Sequence, residues 1–208
     1  MENLRILLDM DEVLVDFMGG ALRAHGISRE EYLQLATPGE WGMVEQLGMT
    51  GNEFWAPIVR QGEEFWVELE LHPWAQRLLD LVNELSGDWV IVTSPGSHPA
   101  SYSGKMRFLY RRLGNWCIEV VMTDHKELLA RNRQTILIDD REETVSAFSA
   151  AGGTGVLFPA FHNSCGKEIS TLKTTIGLDV LMSTIIDSWL KQFPKRVEQV
   201  MKENTNAR

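Results

Sequence analysis

Short apolar runs recur along the chain at intervals that a helix can fill. Arg5 to Asp9, Trp89 to Thr93, Glu119 to Thr123 and Thr135 to Asp139 are bounded by turn residues and read as strands, with Gly155 to Phe158 a fifth. Several are apolar at nearly every position, the pattern of strands covered on both faces. Helical periodicity falls between them, at Pro73 to Leu85, Ser103 to Leu113, Lys126 to Asn132 and Glu142 to Ala151, the last closed by Gly152 and Gly153. Strand alternating with helix predicts an α/β fold around a parallel sheet.

The segment from Met18 to Leu71 breaks this alternation. It holds helix-like pieces at Ser28 to Leu35 and Asn52 to Gln61, with turn signals at Pro38-Gly39 and Gly51. It reads as a small, mainly helical cap inserted after the first strand. The chain then divides into a core domain (1–17 and 72–195), a cap (18–71) and a flexible tail (196–208). The core closes with an amphipathic helix near Leu178 to Gln192, whose Leu178, Leu181, Ile185, Trp189 and Leu190 fall near one stripe. Met201 to Arg208 is polar and without apolar period, as expected of a frayed end.

At 208 residues and 44% hydrophobic, the chain can bury one α/β core and a small appended domain. A net charge of −9 argues against a nucleic-acid polymer as partner, since tracking phosphates needs a basic stripe. Small phosphorylated ligands stay compatible if positive charge is local. Cys117 and Cys165 have no metal-ligand spacing and cannot build a disulfide framework, so buried free thiols in a reducing cytoplasm are expected. No stretch reaches the roughly 18 apolar residues of a spanning helix, and no membrane partner is expected. The assembly, monomer or homodimer, is left open.

The chemistry sits at strand ends. Leu7-Leu8-Asp9-Met10-Asp11 runs an apolar strand into two aspartates, although acids are poor strand residues. Such a pair alone reads as a turn or helix cap. A second apolar strand, however, ends in Asp139-Asp140. In an open parallel sheet, ligands bind beyond the carboxyl ends of the strands. Four carboxylates at one sheet edge repel one another, and a hard divalent cation such as Mg²⁺, bound with substrate phosphate, relieves that repulsion. Thr93-Ser94-Pro95-Gly96 ends a third strand with hydroxyls and backbone amides able to hold phosphate oxygens. Lys105 and Lys126, which singly would pass as solvated surface lysines, offer positive charge.

The order Asp-x-Asp, Thr-Ser, Lys, Asp-Asp resembles the haloacid dehalogenase superfamily of phosphatases. Asp9-Met-Asp-Glu-Val-Leu-Val-Asp-Phe17, Val92-Thr-Ser-Pro95, Thr123-Asp-His-Lys126 and Leu137-Ile-Asp-Asp-Arg141 are similar to the 5′(3′)-deoxyribonucleotidases in particular, as is Phe158-Pro-Ala-Phe-His-Asn163. The resemblance spans most of residues 4–165 and departs at Glu12, where many relatives have glycine. It implies a Rossmann-like, haloacid dehalogenase-type core and a deoxyribonucleoside monophosphate, or another small phosphomonoester, as partner. Asp9 is then the nucleophile and Asp11 the general acid and base. Mg²⁺ is held by Asp9, the backbone carbonyl of Asp11 and Asp140, with Asp139 a ligand through water or a support. Thr93, Ser94, Lys126 and Lys105 hold phosphate. Phe17, Phe65 and Trp66 look like the aromatics that stack on base and sugar, although packing within the cap accounts for them as well. His98, His125 and His162 are assigned to the surface or to helix ends. A sugar phosphatase with the same core, a phosphotransferase and a non-catalytic binding protein are the rival readings.

Overall fold

The structure is a computed structural model that describes residues 4–114, 119–171 and 178–206. Five strands, β1 (Arg5–Leu8), β2 (Trp89–Thr93), β3 (Val120–Met122), β4 (Thr135–Asp139) and β5 (Thr154–Leu157), form one parallel sheet in the order β3-β2-β1-β4-β5. Each lies within one residue of its expected bounds, and the architecture is the expected α/β one.

Five helices separate β1 from the core helix α6 (Ala75–Leu85): α1 (Phe17–His25), α2 (Arg29–Leu35), α3 (Met43–Gln46), α4 (Gly51–Gln61) and α5 (Glu63–Val67). Helix α7 (Pro99–Leu113) joins β2 to β3, and α8 (Glu142–Ala150) joins β4 to β5. Helices α9 (Ser164–Thr171) and α10 (Leu178–Asn206) follow.

The apolar strands alternate between two buried faces. Ile6, Leu8, Ile91, Ile136 and Ile138 point into the larger cluster, with Leu78 and Val82 of α6, Phe108 of α7 and Trp189 and Phe193 of α10. Leu7, Val90, Val92 and Leu137 point the other way, against Phe148 of α8. This two-sided burial explains why the central strands lack a polar-apolar alternation. With β1 in the middle, the chain fills one side of the sheet (β2, β3) before crossing to the other (β4, β5). The crevice at the carboxyl ends of β1 and β4 is therefore the switch point where such sheets bind ligands.

Helix α1 was not evident from the sequence, because Gly19 and Gly20 depress helix propensity. Packing requires both. A Cβ on Gly20 would lie 2.2 Å from Leu69 Cδ2, and one on Gly19 would collide with the Asp16 carboxylate that caps the helix. Helices α2 and α4 each begin with a capping box, Ser28 with Glu31 and Thr50 with Glu53. Helix α7 starts at Pro99 with His98 as its cap, four residues before its expected start. The helix expected over Lys126 to Asn132 is only a 3₁₀ turn, Lys126–Leu129.

The tail is corrected. Helix α10 continues through Asn206, so most of the segment 196–208 is helical, and Val197 is buried. Ile186, Trp189, Phe193, Val197 and Met201 continue one stripe onto the core at spacings of three and four. One apolar residue per turn suffices there, and the charged remainder masks it. Cys165 is half-buried and outside any disulfide, while Cys117 and the side chain of Leu178 lie outside the described residues. Among the described residues no helix is long and apolar enough to cross a membrane.

Val197→Asp should lower the unfolding free energy by about 2–4 kcal/mol through an unpaired buried charge. Lys202→Ala, on the exposed face, should change it by less than about 0.5 kcal/mol. Equal urea midpoints for both variants would detach the end of α10 from the core.

Candidate active site

Strands β1, β2 and β4 end side by side, and acids and hydroxyls leave their carboxyl ends. The Asp9 amide donates to the Ile138 carbonyl at 3.0 Å, carrying the ladder past the end of β1. Asp9 and Asp139 are both buried, and Lys126, itself 4% exposed, lies between them. Its ammonium is 2.6 Å from Asp9 Oδ1 and 2.7 Å from Asp139 Oδ2. The other Asp139 oxygen accepts from the Arg141 amide at 2.9 Å. Asp140 Oδ2 lies 2.6 Å from His162 Nε2, and the Asp140 carbonyl accepts from Asn163 Nδ2 at 2.8 Å.

Burial pushes Asp9 well above the ordinary carboxylate range; Lys126 pulls it down, and Asp139, Asp140 and Asp11 push it further up. Burial raises Asp139 too, against the pull of Lys126. Against the lowering effect of its own burial, Lys126 is held above the ordinary lysine value by Asp9 and Asp139. His162 is likewise raised by Asp140 against its burial. One oxygen each from Asp9, Asp139 and Asp140 fall within 4.8 Å of one another. Asp11 Oδ1 is buried without a hydrogen-bond partner. Hard oxygen donors in excess of the available positive charge fit a small divalent cation.

Lys105 reaches the same centre from the second turn of α7. Fully buried, it places its ammonium 2.5 Å from Asp11 Oδ2, 2.9 Å from Thr93 Oγ1 and 2.7 Å from the Ser94 carbonyl. It also lies 4.9 Å from the centre of the Trp66 ring. Gly104 permits this approach, since a Cβ there would be 2.7 Å from Trp66 Cβ and 2.9 Å from the Glu63 carbonyl oxygen. Arg107 and Arg111 pair with Glu63 and Glu68 along the same α5–α7 seam, both at 2.7 Å.

A cavity of about 310 Å³ opens over these groups. Asp9, Asp11, Asp140, Ser94, Lys105 and Lys126 line its floor, and Phe17, Trp41, Trp55 and Trp66 its wall. Phe17 stacks on Trp66 at 5.7 Å between ring centres. The remaining expected residues sit behind this surface. Thr93 is fully buried and bonded to Lys105, and Asp139 is locked between Lys126 and Arg141. Phe65 packs edge-on against Phe17 and Trp66.

Other residues were missed or misplaced. Trp41 and Trp55 are wall residues that no sequence pattern had placed. The Arg141 guanidinium lies 4.7 Å over the Trp41 ring, and His162 meets the same ring edge-on. His162, assigned from sequence to the surface or a helix end, is buried against Asp140. The available signal was the Phe158–Asn163 stretch as a whole, not the histidine alone.

A parallel sheet with paired acids at its switch point, two buried lysines and a helical insertion after β1 defines a phosphatase of the haloacid dehalogenase type. Within that class the chain belongs to the 5′ nucleotidase, deoxy (Pyrimidine), cytosolic type C protein family, whose model matches residues 3–174. It is 29% identical over 168 residues to the mitochondrial 5′(3′)-deoxyribonucleotidase of Mus musculus, covering 77% of this chain and 74% of the relative. The Homo sapiens protein of the same name gives 29% identity over 77% of this chain and 72% of its own length. A solved hydrolase from Streptococcus pneumoniae TIGR4 superposes with a TM-score of 0.49 at 15% identity, covering 83% of this chain and 99% of its own.

Lys126→Ala, which leaves Asp9 and Asp139 buried without their cation, should cost about 3–5 kcal/mol of unfolding free energy in chelator. Urea unfolding measures it, and an unchanged midpoint would show that the pair is not held as described.

Proposed function

We propose that the chain is a Mg²⁺-dependent phosphomonoesterase that dephosphorylates deoxyribonucleoside monophosphates through an aspartyl phosphate on Asp9. The observation carrying this reading is the convergence of Asp9, Asp11, Lys105 and Lys126 on one cavity floor beneath an aromatic wall. The substrate class rests on the family, whose description names a deoxy pyrimidine 5′ nucleotidase, and on relatives named 5′(3′)-deoxyribonucleotidases.

In the first half-reaction an Asp9 oxygen attacks phosphorus in line, and the ester oxygen departs with a proton from Asp11. In the second, water attacks the same phosphorus and gives its proton to Asp11, releasing phosphate and restoring the Asp9 carboxylate. Asp9, the Asp11 carbonyl and Asp140 would hold Mg²⁺, which when bound offsets negative charge on the carboxylates and the phosphoryl oxygens. His162 orients Asp140 by its hydrogen bond. Asp139 has both oxygens engaged and serves as a support that fixes Lys126.

Lys126 and Ser94 face the phosphate, and Thr93 orients Lys105 from below. A phosphate oxygen arriving beside Lys105 takes over part of its ammonium from Asp11, freeing that carboxyl for proton transfer. Phe17 and Trp66, backed by Phe65, offer a stacking face to a base, and such contacts tolerate changes of base.

Phosphate release should be strongest from 2′-deoxynucleoside monophosphates, weaker from ribonucleotides and sugar phosphates, and abolished by excess chelator. Release from sugar phosphates alone would sink the nucleotidase reading while keeping the mechanism. Asp9→Asn should abolish turnover, and Asp11→Asn should slow it by about 10²–10⁴-fold. A folded Asp9→Asn protein with undiminished turnover would remove Asp9 as nucleophile. Trp66→Ala should raise KM for deoxynucleotides by the equivalent of about 1–3 kcal/mol per stacked base; an unchanged KM would place the base elsewhere.

A further inference from the structure

A second cavity, about 380 Å³ in volume, lies beside the first, and Glu12 lines both. Asp16, Arg29, His72, Trp74 and Phe161 help to enclose it. In its wall, one ligand atom each from Glu12, Asp16 and His72 lie within 4.8 Å of one another. None of these three belongs to the catalytic set described above. The His72 side chain is only 9% exposed, and its Nε2 is buried without a hydrogen-bond partner, 3.9 Å from Glu12 Oε2.

We propose that Glu12, Asp16 and His72 form a second divalent-cation site, one that takes a zinc-class ion rather than Mg²⁺. An imidazole nitrogen with two carboxylates is a borderline-soft donor set that suits Zn²⁺, whereas Mg²⁺ favours oxygen alone. Two donors at roughly 2.0–2.2 Å from one ion stand about 3.3–3.6 Å apart at a tetrahedral angle and at most about 4.0–4.4 Å apart, so the 3.9 Å between His72 and Glu12 is too long for a hydrogen bond and within a few tenths of an ångström of the span of a shared ion. The buried, unpartnered His72 Nε2 is placed to present a lone pair toward Glu12 Oε2.

The carboxylates are held in place independently of any ion. Glu12 Oε1 accepts from the Met18 amide at 2.6 Å, and Asp16 Oδ1 accepts from the Gly19 amide at 2.8 Å and Arg29 Nη2 at 2.7 Å. Such outer contacts orient ligands in metal sites. His72 stacks on Trp74 at 4.2 Å between ring centres, which fixes its plane. Glu12 also stands at φ +57°, the one non-glycine residue with positive φ among the described residues. A side chain kept in a conformation that glycine would adopt without strain calls for a role for that side chain.

The backbone gives the site its consequence. Asp16 N donates to the Glu70 carbonyl and His72 N to the Leu14 carbonyl, both at 2.9 Å, so the connector leading into the inserted helices runs beside the one leading out. Glu12 and Asp16 lie on the first connector and His72 on the second. An ion held by all three ties the two together at the base of the insertion.

The test is Zn²⁺ binding to the full chain in excess Mg²⁺, read by equilibrium dialysis with elemental analysis and by the thermal midpoint. Wild type should retain one Zn²⁺ per chain and melt higher with it. Asp140→Asn, which weakens the catalytic carboxylates, should retain that ion. His72→Gln and Glu12→Gly should each lose affinity at least tenfold and lose the thermal shift. Glu12→Gly relieves the positive φ while giving up the bond to the Met18 amide, so it should melt without Zn²⁺ close to wild type, which separates lost binding from lost folding. Absence of Zn²⁺ from wild type, undiminished binding by His72→Gln and Glu12→Gly, or loss of the ion on Asp140→Asn would each overturn the site. Because the readout is metal content, its outcome is independent of substrate and turnover.

Discussion

The ammonium of Lys126 sits between two buried carboxylates, and much of the carboxyl edge of the sheet is arranged around that contact. One positive charge faces Asp9 and Asp139, with Asp140 and Asp11 close by. Buried ion pairs gain little net stability, because desolvation offsets most of the attraction, yet removing one partner strands a charge. The surrounding structure must therefore hold the groups in register. Pairing of β1 with β4 aligns the two acids, and the 3₁₀ turn at Lys126–Leu129 delivers the lysine. Asn163 fastens the Asp140 backbone, donating to the carbonyls of both Asp140 and Phe158. The apolar sheet below supplies the low-dielectric bed that makes these charges strong.

This tension also explains which parts of the protein could be read from its sequence. Central strands of a parallel sheet are nearly all apolar, so Leu137-Ile138 running into Asp139-Asp140 violates strand preference at the place where a ligand would bind. The acids were legible because packing has no use for them there. Lys105 was legible only as a candidate: its partner Asp11 lies 94 residues away, and nothing local records the contact. His162 was misread for the same reason, since its partner Asp140 is 22 residues distant.

Local chemistry misled elsewhere. Gly19 and Gly20 lower the helix propensity of α1, and they are small because Asp16 and Leu69 occupy the space a Cβ would need. The end of α10 read as a polar tail because a helix on the rim of a core needs one apolar residue per turn, and Val197 and Met201 provide it. Phe65 and Trp66 read as a pair with one role. Neighbouring residues on a helix point about 100° apart, so Trp66 reaches the cavity while Phe65 packs behind it.

The aromatic wall and the acidic floor come from different parts of the chain, and Lys105 is where they meet. Its ammonium touches Asp11, while its face-on neighbour is Trp66, which in turn stacks on Phe17. Gly104 lets α7 come close enough to α5 for one side chain to make both contacts. A change in the wall thus reaches the Asp11 carboxylate by direct contact through Lys105, with no element needing to move far. The floor is held by the electrostatics of Lys126, whereas Trp55 and Phe17 in the wall are held by ring packing; Trp41, under Arg141 and against His162, is the wall residue in contact with charged groups. Floor and wall are held by different physical forces, ion pairing below and ring packing above, and Lys105 touches both.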